Sequence, residues 1–232
     1  MKKLVLFDFD GTVADSAPDL ANSANTLRLE QGLEPLSTDY LRPYASMGAR
    51  GLIWATIGLK TDHPDYEDAR QRFLDHYENN LDVDTVLFPG MGELLHTLSQ
   101  NSLPWGIVTN KAEYLTRPIM KHLGIYDDCA VLVGGDSTPY LKPHPAALFR
   151  AARLFDIPCE QCIYIGDDER DIVSAQVANM SSVVAAYGYC QFSPETQNWG
   201  ADAIANHADE IYPIVKKWAA QLKPQHNKAA VA

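Results

Sequence analysis

The chain has 232 residues, 46% of them hydrophobic, and a formal net charge of −11. That is apolar material for one sizeable core, or for a domain carrying a large insertion. The negative field speaks against nucleic acid and anionic membranes as partners, and an anionic substrate would need a local metal or a well-placed lysine.

The first element is a strand over Lys3–Phe7, an apolar run closed by a turn signal. Met1-Lys2-Lys3 with that run resembles a leader only superficially, since the run is short and ends in Asp8. No stretch of 18 apolar residues exists, so a membrane-spanning helix is not expected and a cytoplasmic location is. Side chains alternate along a strand, so Asp8 and Asp10 point one way and Phe9 the other. Two carboxylates reach one spot at the strand's C-terminal end, where open parallel α/β sheets bind ligands. At that separation either one carboxylate takes a proton or a cation sits between them. A calcium loop is a poor fit, because Thr12 stands where a further ligand belongs and Val13-Ala14 is apolar.

Residues 15 to 80 read as helical. Ser16-Ala17-Pro18-Asp19 has a capping hydroxyl, an early proline and a first-turn acid, and helical spacing then runs to Gly32. Further amphipathic stretches are expected near Thr38–Tyr44, Ala49–Ile57 and Tyr66–Tyr77. After Phe88-Pro89-Gly90 strands alternate with helices. Strand Trp105–Val108 precedes a helix near Ala112–Leu123, and Val131–Val133 precedes one near Ala146–Phe155. Cys162–Ile165 precedes one near Ile172–Ala178, and Ser182–Ala186 is a further strand. This alternation predicts a parallel sheet covered on both faces, with the first strand in it. The helical segment is then an insertion directly after the carboxylate pair, where it can serve as a lid. The tail from Lys223 to Ala232 has no periodicity and reads as frayed. Cys159 and Cys162 precede a strand and lack further zinc ligands, so they read as ordinary reduced cysteines.

Three more stations fall at strand ends. Thr109-Asn110 offers a hydroxyl, an amide and backbone N–H groups able to hold a phosphate. Leu141-Lys142-Pro143-His144-Pro145 puts Lys142, a compact positive charge, on a rigid turn, with His144 an ordinary loop residue. Gly166-Asp167-Asp168-Glu169-Arg170-Asp171 has four acids in five residues. They suit a helix N-terminus and are also the hard ligands magnesium takes.

In order and spacing these stations resemble the haloacid dehalogenase-like phosphatase superfamily, along essentially the whole chain. Asp8-Phe9-Asp10-Gly11-Thr12 resembles the first motif, Thr109-Asn110 the second, Lys142-Pro143 the third, and Gly166-Asp167 with Asp171 the fourth. Gly48-Ala49-Arg50, Lys142-Pro143-His144-Pro145 and Tyr187-Gly188-Tyr189 resemble the phosphoglycolate phosphatase branch, and Asn198-Trp199-Gly200-Ala201-Asp202 a subgroup of N-acetylmuramate 6-phosphate phosphatases.

The resemblance implies a Rossmann-like α/β core over residues 1–14 and 84–222, with a helical cap over 15–83. It implies a Mg²⁺-dependent phosphatase acting on a small phosphorylated metabolite. Asp8 is then the nucleophile that forms an aspartyl-phosphate, and Asp10 the general acid and later base. Asp8, the backbone carbonyl of Asp10 and Asp167 hold the metal. The Thr109 hydroxyl, the backbone of Asn110 and Lys142 neutralise the phosphoryl oxygens. Thr12, Asp168 and Asp171 stand behind them, Asp171 orienting Lys142 or the metal's waters. Arg50 is the cap residue expected to meet a substrate carboxylate. The alternatives are a sugar phosphomutase of the β-phosphoglucomutase type and a non-catalytic phosphometabolite sensor.

Overall fold

The structure, a computed structural model, describes residues 2–190 and 195–221; the expectation of a frayed tail at 223–232 lies outside them. Six parallel strands form the main sheet: β1 (Leu4–Phe7), β4 (Trp105–Val108), β5 (Val131–Val133), β6 (Cys162–Gly166), β7 (Ser181–Ala185) and β8 (Ala203–Ala205). Their spatial order is β5-β4-β1-β6-β7-β8. β1 is thus central, with Phe7 in register with Ile107 on one side and Ile165 on the other. All four of its residues are buried, as expected for a strand covered on both faces.

The alternation of β1 divides the core. Val5 and Phe7 pack with Leu94 and Leu98 of α5 (Met91–Gln100), Ile119 of α6 (Glu113–His122), and Ile211 and Val215 of α9 (Ile211–Ala220). Leu4 and Leu6 pack on the opposite face with Leu148 and Ala151 of α7 (Ala146–Leu154) and Ala175 of α8 (Glu169–Val177). The result is an α/β three-layer arrangement.

The helical segment comprises α1 (Ala17–Glu30), α2 (Thr38–Ala45), α3 (Gly48–Ile57) and α4 (Tyr66–Glu78). These helices bury an apolar cluster of their own, including Leu20, Leu27, Leu52, Ile53 and Phe73, to which Leu115 and Tyr189 of the sheet lobe contribute. The chain leaves and re-enters the sheet lobe through two short antiparallel strands, β2 (Ala14–Asp15) and β3 (Val86–Leu87). Buried Asp19 ties the two passages together. It accepts from the Asp84 N–H at 3.0 Å, the Thr85 N–H at 2.9 Å and the Thr85 hydroxyl at 2.6 Å. Asp19 therefore does more than face a helix dipole.

The helix expected from Ile172 begins at Glu169, with Asp168 as its N-cap. β2, β3, β8, α5 and α9 were not among the expected elements. Cys159 and Cys162 are free thiols, and burial pushes Cys162 up to about 12, in keeping with an unreactive role. Among the described residues, no helix is long and apolar enough to cross a membrane.

Candidate active site

β1 ends at Phe7 and hands Asp8 to a pit between its parallel neighbours. The Asp8 N–H donates to the Ile165 carbonyl at 2.8 Å, extending the ladder one step, and Asp8 Oδ1 accepts from the Phe9 N–H at 2.7 Å. β4 ends beside it and presents Thr109 and Asn110; β6 presents Asp167 and Asp168. The strand-end stations are therefore neighbours in space.

Lys142 is the buried cation of this group. Its Nζ lies 2.9 Å from Asp8 Oδ1 and 2.6 Å from Asp171 Oδ1, and it donates to the Tyr164 hydroxyl at 2.8 Å. Asn110 holds the lysine's backbone: its amide donates to the Lys142 carbonyl at 3.1 Å and accepts from the Lys142 N–H at 2.8 Å. The Asn110 side chain thus positions Lys142, and the phosphate-binding role expected of Asn110 falls to its backbone. The Thr109 hydroxyl accepts from the Lys111 N–H at 3.2 Å, and its own proton is available to a ligand.

Asp167 accepts from the Thr12 hydroxyl and from the Tyr189 N–H, both at 2.9 Å. Its approach depends on two glycines. A Cβ at Gly11 would sit 2.2 Å from Asp167 Oδ2, and one at Gly188 would sit 2.4 Å from Asp167 Cβ. Tyr187 braces the same turn by donating to the Thr12 carbonyl at 2.9 Å.

Asp168 stands outside this cluster. As N-cap it accepts from the Arg170 N–H at 2.9 Å, and the Arg170 guanidinium grips both its oxygens at 2.7 and 2.8 Å. Burial pushes its carboxyl up, but the bonds and charge of Arg170 outweigh this and hold it below the usual range. Arg170 also donates to the Ser46 carbonyl at 2.6 Å, so Asp168 supports a strut between the lobes. Asp171 closes the capping box by accepting from the Asp168 N–H at 3.0 Å, and its other oxygen faces Lys142.

Oxygens of Asp8, Asp167 and Asp171 lie within 4.8 Å of one another. Burial pushes Asp8 up to about 7, with Lys142 pulling it down and Asp171 and Asp10 adding to the rise. Asp167 is raised well above its usual range by burial, then by Asp8 and Asp171. Burial lowers Lys142, but Asp171 and Asp8 outweigh it and keep the ammonium charged. Three buried carboxylates against one buried ammonium leave two negative charges unmatched. A divalent cation with oxygen preference fits that deficit and that donor set.

The sign of the pH dependence follows. Asp8 and Asp167 have folded values above the ordinary carboxylate range. The contribution of Asp8 to the metal-free fold is complete below roughly pH 4 and is lost as pH rises through about 7, and that of Asp167 is lost in the same direction. Protons and cation compete, so Mg²⁺ is expected to raise the melting temperature more near about pH 8 than near about pH 6. Thermal melts at both values, with and without Mg²⁺, check this. An equal shift at both would contradict it.

Asp10 is not one of the three clustered carboxylates. Its Oδ1 accepts a short hydrogen bond from the Ser16 hydroxyl, and Lys111 Nζ lies 3.1 Å from Oδ1 and 3.4 Å from Oδ2. Ser16 makes no side-chain cap on α1, contrary to the sequence expectation: its hydroxyl turns instead to the partly buried Asp10 carboxyl, to which it donates. Ser16 and Lys111 are site residues that sequence reasoning missed. The available signal for Lys111 was its place directly after Thr109-Asn110.

Above this floor a cavity of about 650 Å³ separates the lobes. Asp8, Asp10 and Lys142 lie at its base, and Arg50, Arg70 and Phe73 of the helical lobe line the opposite wall. Arg50 on α3 is exposed into it, and Arg70 on α4 is a second cation there that the sequence reading did not single out. The Asn198–Asp202 segment contributes nothing to this wall. It braces the sheet instead, with Asp202 accepting from the Ser182 N–H at 2.9 Å.

Comparison with known proteins agrees with the fold. The family model described as haloacid dehalogenase-like hydrolase matches residues 5–185. A phosphoglycolate phosphatase of Xanthomonas campestris pv. campestris is 40% identical over 210 residues, covering 90% of this chain and 95% of that protein. An N-acetylmuramic acid 6-phosphate phosphatase of Pseudomonas aeruginosa is 37% identical, covering 93% and 95%. Among solved structures, that of a predicted phosphoglycolate phosphatase from Haemophilus somnus superposes with a TM-score of 0.81 at 27% identity, covering 92% and 98%.

Proposed function

The chain belongs to the haloacid dehalogenase-like hydrolase family, and from that premise we propose that it is a Mg²⁺-dependent phosphatase. It hydrolyses a small, carboxylate-bearing phosphomonoester in the cytoplasm through an aspartyl-phosphate on Asp8. The observation that carries this reading is Asp8 set against Lys142 at 2.9 Å, with Asp10 beside it at the base of the cavity.

Asp8 attacks phosphorus as the bond to the leaving alcohol breaks, and Asp10 gives that alcohol its proton. Lys142 and the Thr109 hydroxyl sit where the phosphoryl oxygens carry their charge. Asp10 then takes a proton from the water that releases phosphate from Asp8. Asp8, the Asp10 carbonyl and Asp167 would hold Mg²⁺, which would supply further neutralisation of the phosphoryl charge. Asp171 keeps Lys142 aimed at Asp8.

Residues 15–83 act in this account as a cap that selects the substrate. Their separate apolar cluster and the β2–β3 crossing support this division. The relatives' names point to 2-phosphoglycolate and N-acetylmuramate 6-phosphate, both of which carry a carboxylate. Sites for drug-sized ligands run to roughly 300–1,000 Å³, so a cavity of about 650 Å³ favours the amino-sugar ester over the much smaller glycolate. Phosphate release with Mg²⁺ is expected to give N-acetylmuramate 6-phosphate the higher kcat/KM. Arg50→Ala is expected to raise KM for that ester by about tenfold, the worth of one charge-assisted contact. A preference for 2-phosphoglycolate would contradict the size argument, and an unchanged KM the role of Arg50.

A further inference from the structure

Lys111 is a second buried ammonium, with its side chain 6% exposed, and it takes no part in the three-carboxylate cluster. Its Nζ lies 3.1 Å from Asp10 Oδ1 and 2.6 Å from the Tyr77 hydroxyl. Tyr77 belongs to α4 in the helical lobe, so this lysine joins the two lobes at the acid–base residue. Burial pushes the Tyr77 phenol up to about 12, against the pull of Lys111, so it stays neutral. Lys111 is therefore an ammonium held between a neutral phenol and the carboxyl group of Asp10.

The two oxygens of Asp10 are held unequally. Oδ1 accepts from Ser16 and from Lys111, whereas Oδ2 has the lysine at 3.4 Å. The held oxygen suits the carbonyl of a neutral acid, and the other suits the atom that carries the proton.

We propose that Lys111, seated on Tyr77, is a positioning residue for the proton transfer that Asp10 performs. The inference rests on the phosphatase reading above. As the bond between phosphorus and the leaving oxygen breaks, the proton on Asp10 Oδ2 passes to that oxygen. Asp10 becomes a carboxylate, and its new charge appears beside an ammonium already in place. In the second half Oδ2 takes a proton from water, the water oxygen bonds to phosphorus, and the phosphorus–oxygen bond to Asp8 breaks. Lys111 itself exchanges no proton. Because Tyr77 comes from α4, Lys111 is fully seated when the helical lobe is in place.

A leaving-group comparison tests this. Nitrophenolate departs without a proton, whereas a sugar or glycolate alkoxide needs one. The probes are p-nitrophenyl phosphate and N-acetylmuramate 6-phosphate, with 2-phosphoglycolate as the alkyl ester if the wild type turns it over faster. General acid catalysis contributes roughly 10²–10⁴-fold. Lys111→Met is expected to lower kcat on the alkyl ester by about 10²-fold and to raise the ratio of nitrophenyl to alkyl turnover at least about tenfold. Lys111→Arg should recover part of the loss, and Tyr77→Phe should shift the ratio the same way by less. If Lys111→Met does not fold, Tyr77→Phe and Lys111→Arg carry the same ratio test. An equal loss on both esters, or no loss on either, would overturn the proposal. Wild-type protein that releases phosphate from neither ester would overturn the phosphatase reading and this inference with it, and that outcome is visible without any variant.

Discussion

Asp8→Asn is expected to lower kcat by at least about 10⁴-fold while the fold persists, on the scale seen when a covalent nucleophile is removed. The amide has nearly the shape of the carboxylate but cannot form the acyl phosphate. The substitution also removes one of three crowded buried charges, and Lys142 keeps its bonds to Asp171 at 2.6 Å and Tyr164 at 2.8 Å. Metal-free Asp8→Asn should therefore melt at or above the wild-type temperature, while its response to Mg²⁺ shrinks. Steady-state kinetics and thermal melts on one preparation, checked by mass for deamidation, measure both. Normal turnover in intact Asp8→Asn protein would end the assignment.

Lys142→Met carries the largest expected loss of stability. Breaking a buried ion pair by removing one partner costs about 3–5 kcal/mol, because the remaining charge is left uncompensated. Here two carboxylates, Asp8 and Asp171, lose the same ammonium. For a chain of this size the melting temperature should fall by about 10 °C. The loop itself keeps its anchor, since Asn110 binds the backbone of residue 142 and not its side chain. The loss is thus one of charge, and added Mg²⁺ should restore part of the stability while turnover stays lost. An unchanged melting temperature in metal-free protein would contradict the charge balance drawn for this site.

What was legible in the sequence is what depends on local periodicity. The unbroken apolar run Leu4–Phe7, closed by a turn signal, placed a buried strand, and its continuation aimed Asp8 at the strand's open end. The four helices α1–α4 lie close to where apolar spacing put them, because each buries a face against the others. The strand-end stations converge because parallel strands end together.

What was not legible depends on partners far along the chain. Ser16 has the local chemistry of a helix cap, but its hydroxyl goes to Asp10 and its N–H to the Tyr189 hydroxyl at 3.0 Å. Lys111 was not singled out from the sequence. Its burial comes from Tyr77 and Asp10, 34 and 101 residues away. Asn110 offered an amide to an anion, yet the backbone of Lys142 claims it. Asp168 and Asp171 read as one acidic run, but the capping box separates them. Asp168 turns to Arg170, and Asp171 turns inward to Lys142. β8 spans three residues at the sheet edge, too short for an alternating pattern to register.

The central claim is that phosphate passes through a covalent bond to Asp8. Its most direct test is rapid acid quench during turnover with Mg²⁺, followed by borohydride reduction and mass mapping of the peptides. An aspartyl-phosphate is reduced to homoserine, so the account predicts that mass change at Asp8, in wild type and not in Asp8→Asn. Phosphate release with Asp8 unmodified at every quench time, or reduction at another carboxylate, would contradict it.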